Sequence, residues 1–233
     1  MYRWDIINHL IKQNNYKSYL EIGYYKGWSF DKVICEDKVA VDPNPSKDKF
    51  QQEMKYGSLL CNQPENYHLY KQTSDDFFKE SPPEWEYDII FIDGLHESQQ
   101  VDRDIQNALK HLSPGGVIVM HDCNPSSYEM TTTGTPQGEW TGDVYRSFIR
   151  LRATSPFLCY VVDTDYGVGI VKPHKGSIPG TTLSVRNLEE NDIYNNWGYF
   201  DSHRILSLGL ISVKEFLEIE TNEQTTTLHN MPA

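Results

Sequence analysis

Nowhere does this sequence contain an apolar run approaching the ~18 residues that a membrane-crossing helix requires. Its opening residues, MYRWDIINHLIKQNN, are too polar for a secretory signal, so the expectation is a cytoplasmic chain with no membrane partner. Cysteine is scarce. Cys35, Cys61, Cys123 and Cys159 stand far apart, without a CxxC pair or zinc-type spacing, and read as reduced thiols. Positive charge is scarce as well: 21 Lys and Arg face 33 Asp and Glu, a net charge of −12. That balance argues against a general attraction to nucleic acid or anionic lipid, though not against a small basic pocket. No internal repeat is evident.

What the chain does have is alternation. The 233 residues suffice for one substantial core, burying roughly 70% of the extended surface. WDIINHLIKQ puts Ile6, Ile7, Leu10 and Ile11 on one helical stripe. Short apolar runs then alternate with helical patterns: SYLEIG before KGWSFDKVI, then KVAVD, YHLYKQ, SDDFFKE, YDIIFID, ESQQVDRDIQNALKHL and VIVMHD. Apolar runs without period-2 alternation, separated by helices, indicate a mostly parallel sheet covered on both faces. Residues 124–141, rich in Pro, Gly, Ser and Thr, read as a long loop or lid on the acceptor side. GDVYRSFIRLR reads as a helix, and FLCYVVDTDYGVGIVK as an antiparallel hairpin around a tight DTDYG turn. The expectation is a single α/β domain over residues 1–220, with 175–220 as a C-terminal extension and 221–233 as a polar, disordered tail.

The strands end in polar groups: Glu21, Asp42, Asp93 and the pair His121–Asp122. In open parallel sheets the ligand crevice lies at the carboxyl ends of the strands. One carboxylate there is an ordinary turn former. Several on one edge would repel one another without cationic or hydrogen-bond-donating groups among them, so the pattern points to a ligand. In EIGYYKGWS, Gly23 permits a sharp turn and Gly27 a close backbone approach. Asp42 follows Gly23 by 19 residues, where a carboxylate can hold a ribose diol. The GxGxxG of a pyrophosphate loop is missing, which favours a nucleoside without phosphates over a dinucleotide.

In order, YLEIGYYKGWS, VAVD, TSDDFF, YDIIFIDGLH and LSPGGVIVMHD resemble the successive motifs of class I S-adenosylmethionine-dependent methyltransferases. More narrowly they resemble the macrocin O-methyltransferase-like group, and more distantly catechol O-methyltransferase, over about residues 17–172. The resemblance implies a Rossmann-like fold with seven strands in the order 3-2-1-4-5-7-6. It implies that Glu21, Gly23 and Gly27, with Ser29 nearby, surround the methionine moiety of S-adenosylmethionine. Asp42 would bind the ribose, Ser74 and Asp75 would flank the adenine, and Asp93 would ligate a divalent cation. Relatives offer two hard oxygen ligands at the end of the fifth strand, whereas this chain reads His121–Asp122 or Asp122–Cys123, with Asn124 within reach. Magnesium wants oxygen, and an imidazole would favour manganese or iron. The expected set is Asp93, His121 and Asp122, with magnesium or manganese.

His96 lies three residues beyond Asp93, either as a surface histidine near a helix start or as the general base that takes the acceptor proton. Trp140, Asp143 and Arg146 open the helix after the long loop. Either Asp143 caps that helix and pairs with Arg146, or these groups line an acceptor pocket in which Trp140 stacks on a sugar and Arg146, with Arg150, meets a phosphate. Tyr194, Trp197, Tyr199 and Phe200 suit the core or a subunit interface, which leaves a homo-oligomer open. The expected activity is methyl transfer to a hydroxyl of a sugar or glycosylated small molecule. A nucleotide-sugar or NAD-dependent enzyme, or a nucleoside-binding protein without catalysis, would share this sheet.

Overall fold

The computed structural model describes residues 1–46, 66–133, 138–173 and 196–229. Helix α1 (Arg3–Asn14) buries Ile6, Ile7, Leu10 and Ile11, the stripe expected of it. Then come β1 (Ser18–Ile22), β2 (Asp37–Val41), β3 (Asn66–Tyr70), α2 (Ser74–Glu80), β4 (Tyr87–Ile92), α3 (Ser98–Lys110) and β5 (Leu112–Met120). A 3-10 turn (Tyr128–Thr131) precedes α4 (Val144–Thr154), β6 (Leu158–Val162) and β7 (Val168–Lys172). The chain closes with α5 (Trp197–Ser202), α6 (Arg204–Leu208), β8 (Leu210–Ile211) and α7 (Val213–His229).

The sheet order is β3-β2-β1-β4-β5-β7-β6-β8. That is the expected seven-strand order with one addition, the two-residue β8 lying parallel to β6 at the edge. β5 meets β7, and β7 meets β6, antiparallel. The central run of β4 shows why alternation is missing from the sequence. Ile90 and Ile92 pack with Val101, Ile105 and Phe148 on one face, while Ile89 and Phe91 pack with Ile6, Ile7 and Leu10 on the other. Each such side chain contributes about 1.5–3 kcal/mol on full burial.

Three expectations change. KGWSFDKVI forms hydrogen-bonded turns rather than a helix. The cause is Lys38: it is fully buried, its ammonium donates to the carbonyls of Phe30 and of Val33 (2.8 Å), and it sits over the Phe30 ring. A buried charge must be compensated, and here the chain wraps it with carbonyls that a continuing helix would use. Second, the strand expected at VIVMHD starts earlier, at Leu112, and takes in the PGG stretch. There the register of β5 with β4 shifts between Tyr87 and Ile89. Third, the tail expected from 221 begins as helix, since α7 runs to His229. Upstream of that stretch α7 is anchored by buried Phe216 and by Glu220, which accepts from Tyr160 Oη (2.8 Å) and Lys172 Nζ (2.7 Å). Trp197 and Phe200 pack against Tyr145 of α4. Tyr194, Cys61 and residues 175–190 lie outside the described residues.

Candidate active site

The carboxyl ends of β1, β2, β4 and β5 open into a cavity of about 770 Å³. Gly23, Asp42, Ser74, Asp93, His96 and His121 contribute to its wall. Gly23, at φ +97°, lets β1 turn tightly against β4, for a Cβ there would lie 2.0 Å from the Asp93 carbonyl oxygen. Gly27 also lies at positive φ, against the ring of Tyr24. Asp42 is buried, its two carboxylate oxygens accepting from the backbone N–H of Tyr25 (2.6 Å) and Asn44 (2.7 Å). Each oxygen keeps a lone pair for a further donor. Glu21 is buried and accepts from Tyr19 Oη; burial pushes its carboxyl up to about 8, although that hydrogen bond opposes the shift.

At the other end of the cavity, three carboxylates interleave with two imidazoles and a guanidinium. Asp93 Oδ1 lies 3.2 Å from His121 Nδ1 and 3.4 Å from His96 Nε2. Burial pushes the Asp93 carboxyl up, but the two imidazoles outweigh it and hold it far below the ordinary carboxylate range. Asp122 adopts φ +59°, a left-handed conformation Asp tolerates better than most residues. Its Oδ2 lies 3.2 Å from His96 Nδ1, out of line for a hydrogen bond, so that Nδ1 is buried without a hydrogen-bond partner among the described residues. Burial lowers the proton affinity of His96, and the flanking Asp93 and Asp122 more than restore it.

The guanidinium was not legible in the sequence. Arg3, at the start of α1, donates from Nε to Ser29 Oγ (2.8 Å) and from Nη1 to Asp165 Oδ2 (3.0 Å). Its Nε is 3.6 Å from Asp93 Oδ2, and its Nη1 is 3.2 Å from His121 Nε2. Asp165 belongs to the DTDYG turn, where Asp165, Tyr166 and Gly167 all lie at positive φ. Such strained turns gather at functional sites. Its carboxyl is held at about 2: burial opposes this, and His121 and Arg3 overcome it.

The expected metal set changes accordingly. Asp93 and Asp122 favour a charged His121, but a guanidinium N–H at 3.2 Å from Nε2 needs a lone pair there. The geometry is that of the neutral ring protonated at Nδ1, with both nitrogens engaged. The group whose ligand atoms all lie within 4.8 Å of one another is Asp93, His96 and Asp122. Cys123 is buried with its thiol pushed well up by burial, and the Asn124 amide is used by Asp163 and Arg204. Neither joins the cluster.

Trp140 lines the cavity and stacks on His96, with centroids 4.6 Å apart. Gly142 fixes this contact, because a Cβ at its φ of +60° would lie 1.8 Å from the His96 carbonyl oxygen. Asp143 and Arg146 do not line the cavity. Asp143 accepts from the backbone N–H (2.6 Å) and hydroxyl (2.9 Å) of Ser98, capping α3 rather than its own helix. Arg146 stays beside Asp143, and Arg150 pairs with Asp102 at 3.0 Å. Ser29 and Ser74 line the cavity; Asp75 does not, and pairs with Arg103 at 3.2 Å.

Residues 20–123 match the family model described as a methyltransferase domain. No curated protein matches the chain. Among solved structures, it is similar to a putative O-methyltransferase from Klebsiella pneumoniae, at 16% identity over 73% of this chain and 79% of that one, with a TM-score of 0.55. It is similar to the S-adenosylhomocysteine-bound methyltransferase PaMTH1 of Podospora anserina, at 15% identity over 74% and 78%, with a TM-score of 0.56. A third is TomG of Streptomyces achromogenes, an O-methyltransferase involved in tomaymycin synthesis and solved with S-adenosylmethionine (17% identity, 75% and 80%, TM-score 0.52). Sheet order, cavity and matched segment agree: residues 20–123 match a methyltransferase domain, and the chain has the fold of class I, S-adenosylmethionine-dependent methyltransferases.

Proposed function

We propose that the protein transfers the methyl group of S-adenosylmethionine to a hydroxyl oxygen of a small-molecule acceptor, a sugar or glycoside, as the resemblance of its motifs to the macrocin O-methyltransferase-like group implies. The observation that carries this reading is the convergence of Asp93, His96 and Asp122 in the same cavity as Gly23, Asp42 and Ser74. The first group suits a hydroxyl that must lose a proton; the second suits a nucleoside. An alcohol is a poor nucleophile at neutral pH, so a positioned base matters. His96 takes the hydroxyl proton, and its flanking carboxylates stabilise the imidazolium that forms. Trp140, stacked on His96, offers an apolar face to the acceptor and excludes water. Arg3 and His121 hold Asp93 in place. Alignment of oxygen, methyl and sulfur supplies much of the remaining acceleration.

A second reading of the cluster has its own observation, the buried His96 Nδ1 without a hydrogen-bond partner among the described residues. Asp93, Asp122 and His96 fit a divalent cation, and the nitrogen favours manganese or iron over magnesium. Such an ion would lower the pKa of an acceptor hydroxyl. The free, buried Cys35, Cys123 and Cys159 fit a reducing, cytoplasmic setting. Among the described residues, no helix is long and apolar enough to cross a membrane.

The test is incubation with S-adenosylmethionine and a panel of glycosides and free sugars, followed by mass spectrometry. Expected is one methyl replacing one hydrogen on an acceptor oxygen, with S-adenosylhomocysteine in equal amount. Methylation only at nitrogen or carbon would overturn the oxygen assignment.

A further inference from the structure

One carboxylate beside the cavity wall has no part in the chemistry above. Asp104 of α3 is buried, and its Oδ1 accepts from Ser74 Oγ (2.6 Å) and Gln100 Nε2 (3.0 Å). Its Oδ2 has no hydrogen-bond partner among the described residues. Ser74 and Gln100 line the cavity. Burial pushes the Asp104 carboxyl up to about 6, against those two hydrogen bonds, so it is mainly ionised at pH 7.5.

An ionised carboxylate can only accept. The Ser74 hydroxyl proton is therefore committed to Asp104. Gln100 Nε2 also lies 3.2 Å from that hydroxyl oxygen, but its two protons face three acceptors, of which Asp104 Oδ1 at 3.0 Å is the nearest. The Gln100 amide cannot reverse without loss, because Nε2 also donates to Asp75 Oδ1 (3.2 Å) and Oε1 accepts from Arg103 Nη2. Ser74 is left with lone-pair capacity but no proton to offer a ligand. A hydroxyl normally serves as donor or acceptor at will; this one is locked as an acceptor.

We propose that Asp104 is a positioning residue that fixes the polarity of Ser74, so that this end of the cavity selects a purine bearing an exocyclic amine over one bearing an oxo group at the same position. The inference rests on the cofactor reading above. An amine donates to a Ser74 lone pair, whereas an oxo group sets acceptor against acceptor, and an unpaired buried polar group is costly.

The experiment is calorimetric binding of S-adenosylhomocysteine and of its deaminated, 6-oxo counterpart to the full chain. Wild type is expected to prefer the amine by at least about thirtyfold. In Asp104→Asn the carboxamide can donate to Ser74, freeing the hydroxyl proton, and the preference should fall below about fivefold, mainly through tighter 6-oxo binding. Ser74→Ala should also lose the preference, and it decides the matter if circular dichroism shows that Asp104→Asn does not fold. A wild-type preference that survives both substitutions overturns the proposal, as does equal wild-type affinity for the two ligands. If wild type binds neither, the cofactor reading itself fails.

Discussion

Arg3 Nη1 approaches His121 Nε2 to 3.2 Å across 118 residues of chain. A guanidinium has no lone pair to give, so the ring must supply one, and its proton goes to Nδ1 beside Asp93 and Asp122. This contact separates the two histidines of the site. His121 is held between an arginine and two carboxylates, and His96 alone keeps a nitrogen without a hydrogen-bond partner among the described residues.

Arg3→Met should therefore destabilise the protein, because Ser29, Asp93 and His121 all lose a partner. Removing one member of a buried charge cluster typically costs about 3–5 kcal/mol. The Arg3 side chain is 14% exposed, and His121 still faces Asp165, which brings the expectation to ~2–3 kcal/mol. Urea unfolding measures it. A change below ~0.5 kcal/mol would show that Arg3 does not hold the cluster together.

His96→Ala should lower kcat by at least about a hundredfold while S-adenosylmethionine affinity stays nearly constant. Because Asp93 and Asp122 raise the proton affinity of His96 against the effect of burial, wild-type activity should rise with pH until His96 is neutral, above the ordinary histidine value. The mutational loss should shrink at high pH, where hydroxide can replace the base. Manganese binding followed by electron paramagnetic resonance separates the two roles. A base leaves cation affinity unchanged, whereas a ligand lost lowers it; activity that persists in excess chelator excludes a required ion.

Asp42→Ala tests the cofactor end. Its oxygens already accept from Tyr25 and Asn44, which orient the carboxylate towards the cavity rather than satisfy it completely. Losing a charged acceptor for two ribose hydroxyls should cost about 1.5–3 kcal/mol, roughly tenfold to a hundredfold in affinity. Calorimetry with S-adenosylhomocysteine reads this, and unchanged affinity would remove Asp42 from the site.

Glu21 makes a pH prediction. Its folded carboxyl is raised to about 8 by burial, despite the Tyr19 hydrogen bond, while the unfolded value is the ordinary one. Folding therefore takes up a proton across the window between them. Stability from this group is full below about pH 4, falls at up to about 1.4 kcal/mol per pH unit as pH rises, and levels off above about pH 8. Glu21→Gln should flatten that slope in denaturation curves taken from pH 5 to 8. An unchanged slope would mean that Glu21 is ionised in the fold.

The backbone plan was largely written in local sequence. The β4 run and the α1 and α3 stripes are periodic signals, and burial of those residues on two sheet faces follows from the period alone. The acidic ends at Glu21, Asp42, Asp93 and Asp122 were also legible, because a polar residue after a buried run falls at the edge of a parallel sheet. Polarity and partnership were not. Whether a histidine accepts, donates or stands free depends on atoms distant in the chain: Arg3 for His121, Asp122 for His96. Asp143 carries the local signature of a cap for its own helix, yet it caps α3, because Gly142 presses the loop onto His96. The turns after Gly27 reflect a lysine buried on the neighbouring strand, which no local propensity encodes. Periodicity reports which face a residue takes, a property of one element. Hydrogen-bond direction and charge compensation belong to groups of residues, and only folding brings those groups within about 3 Å of one another.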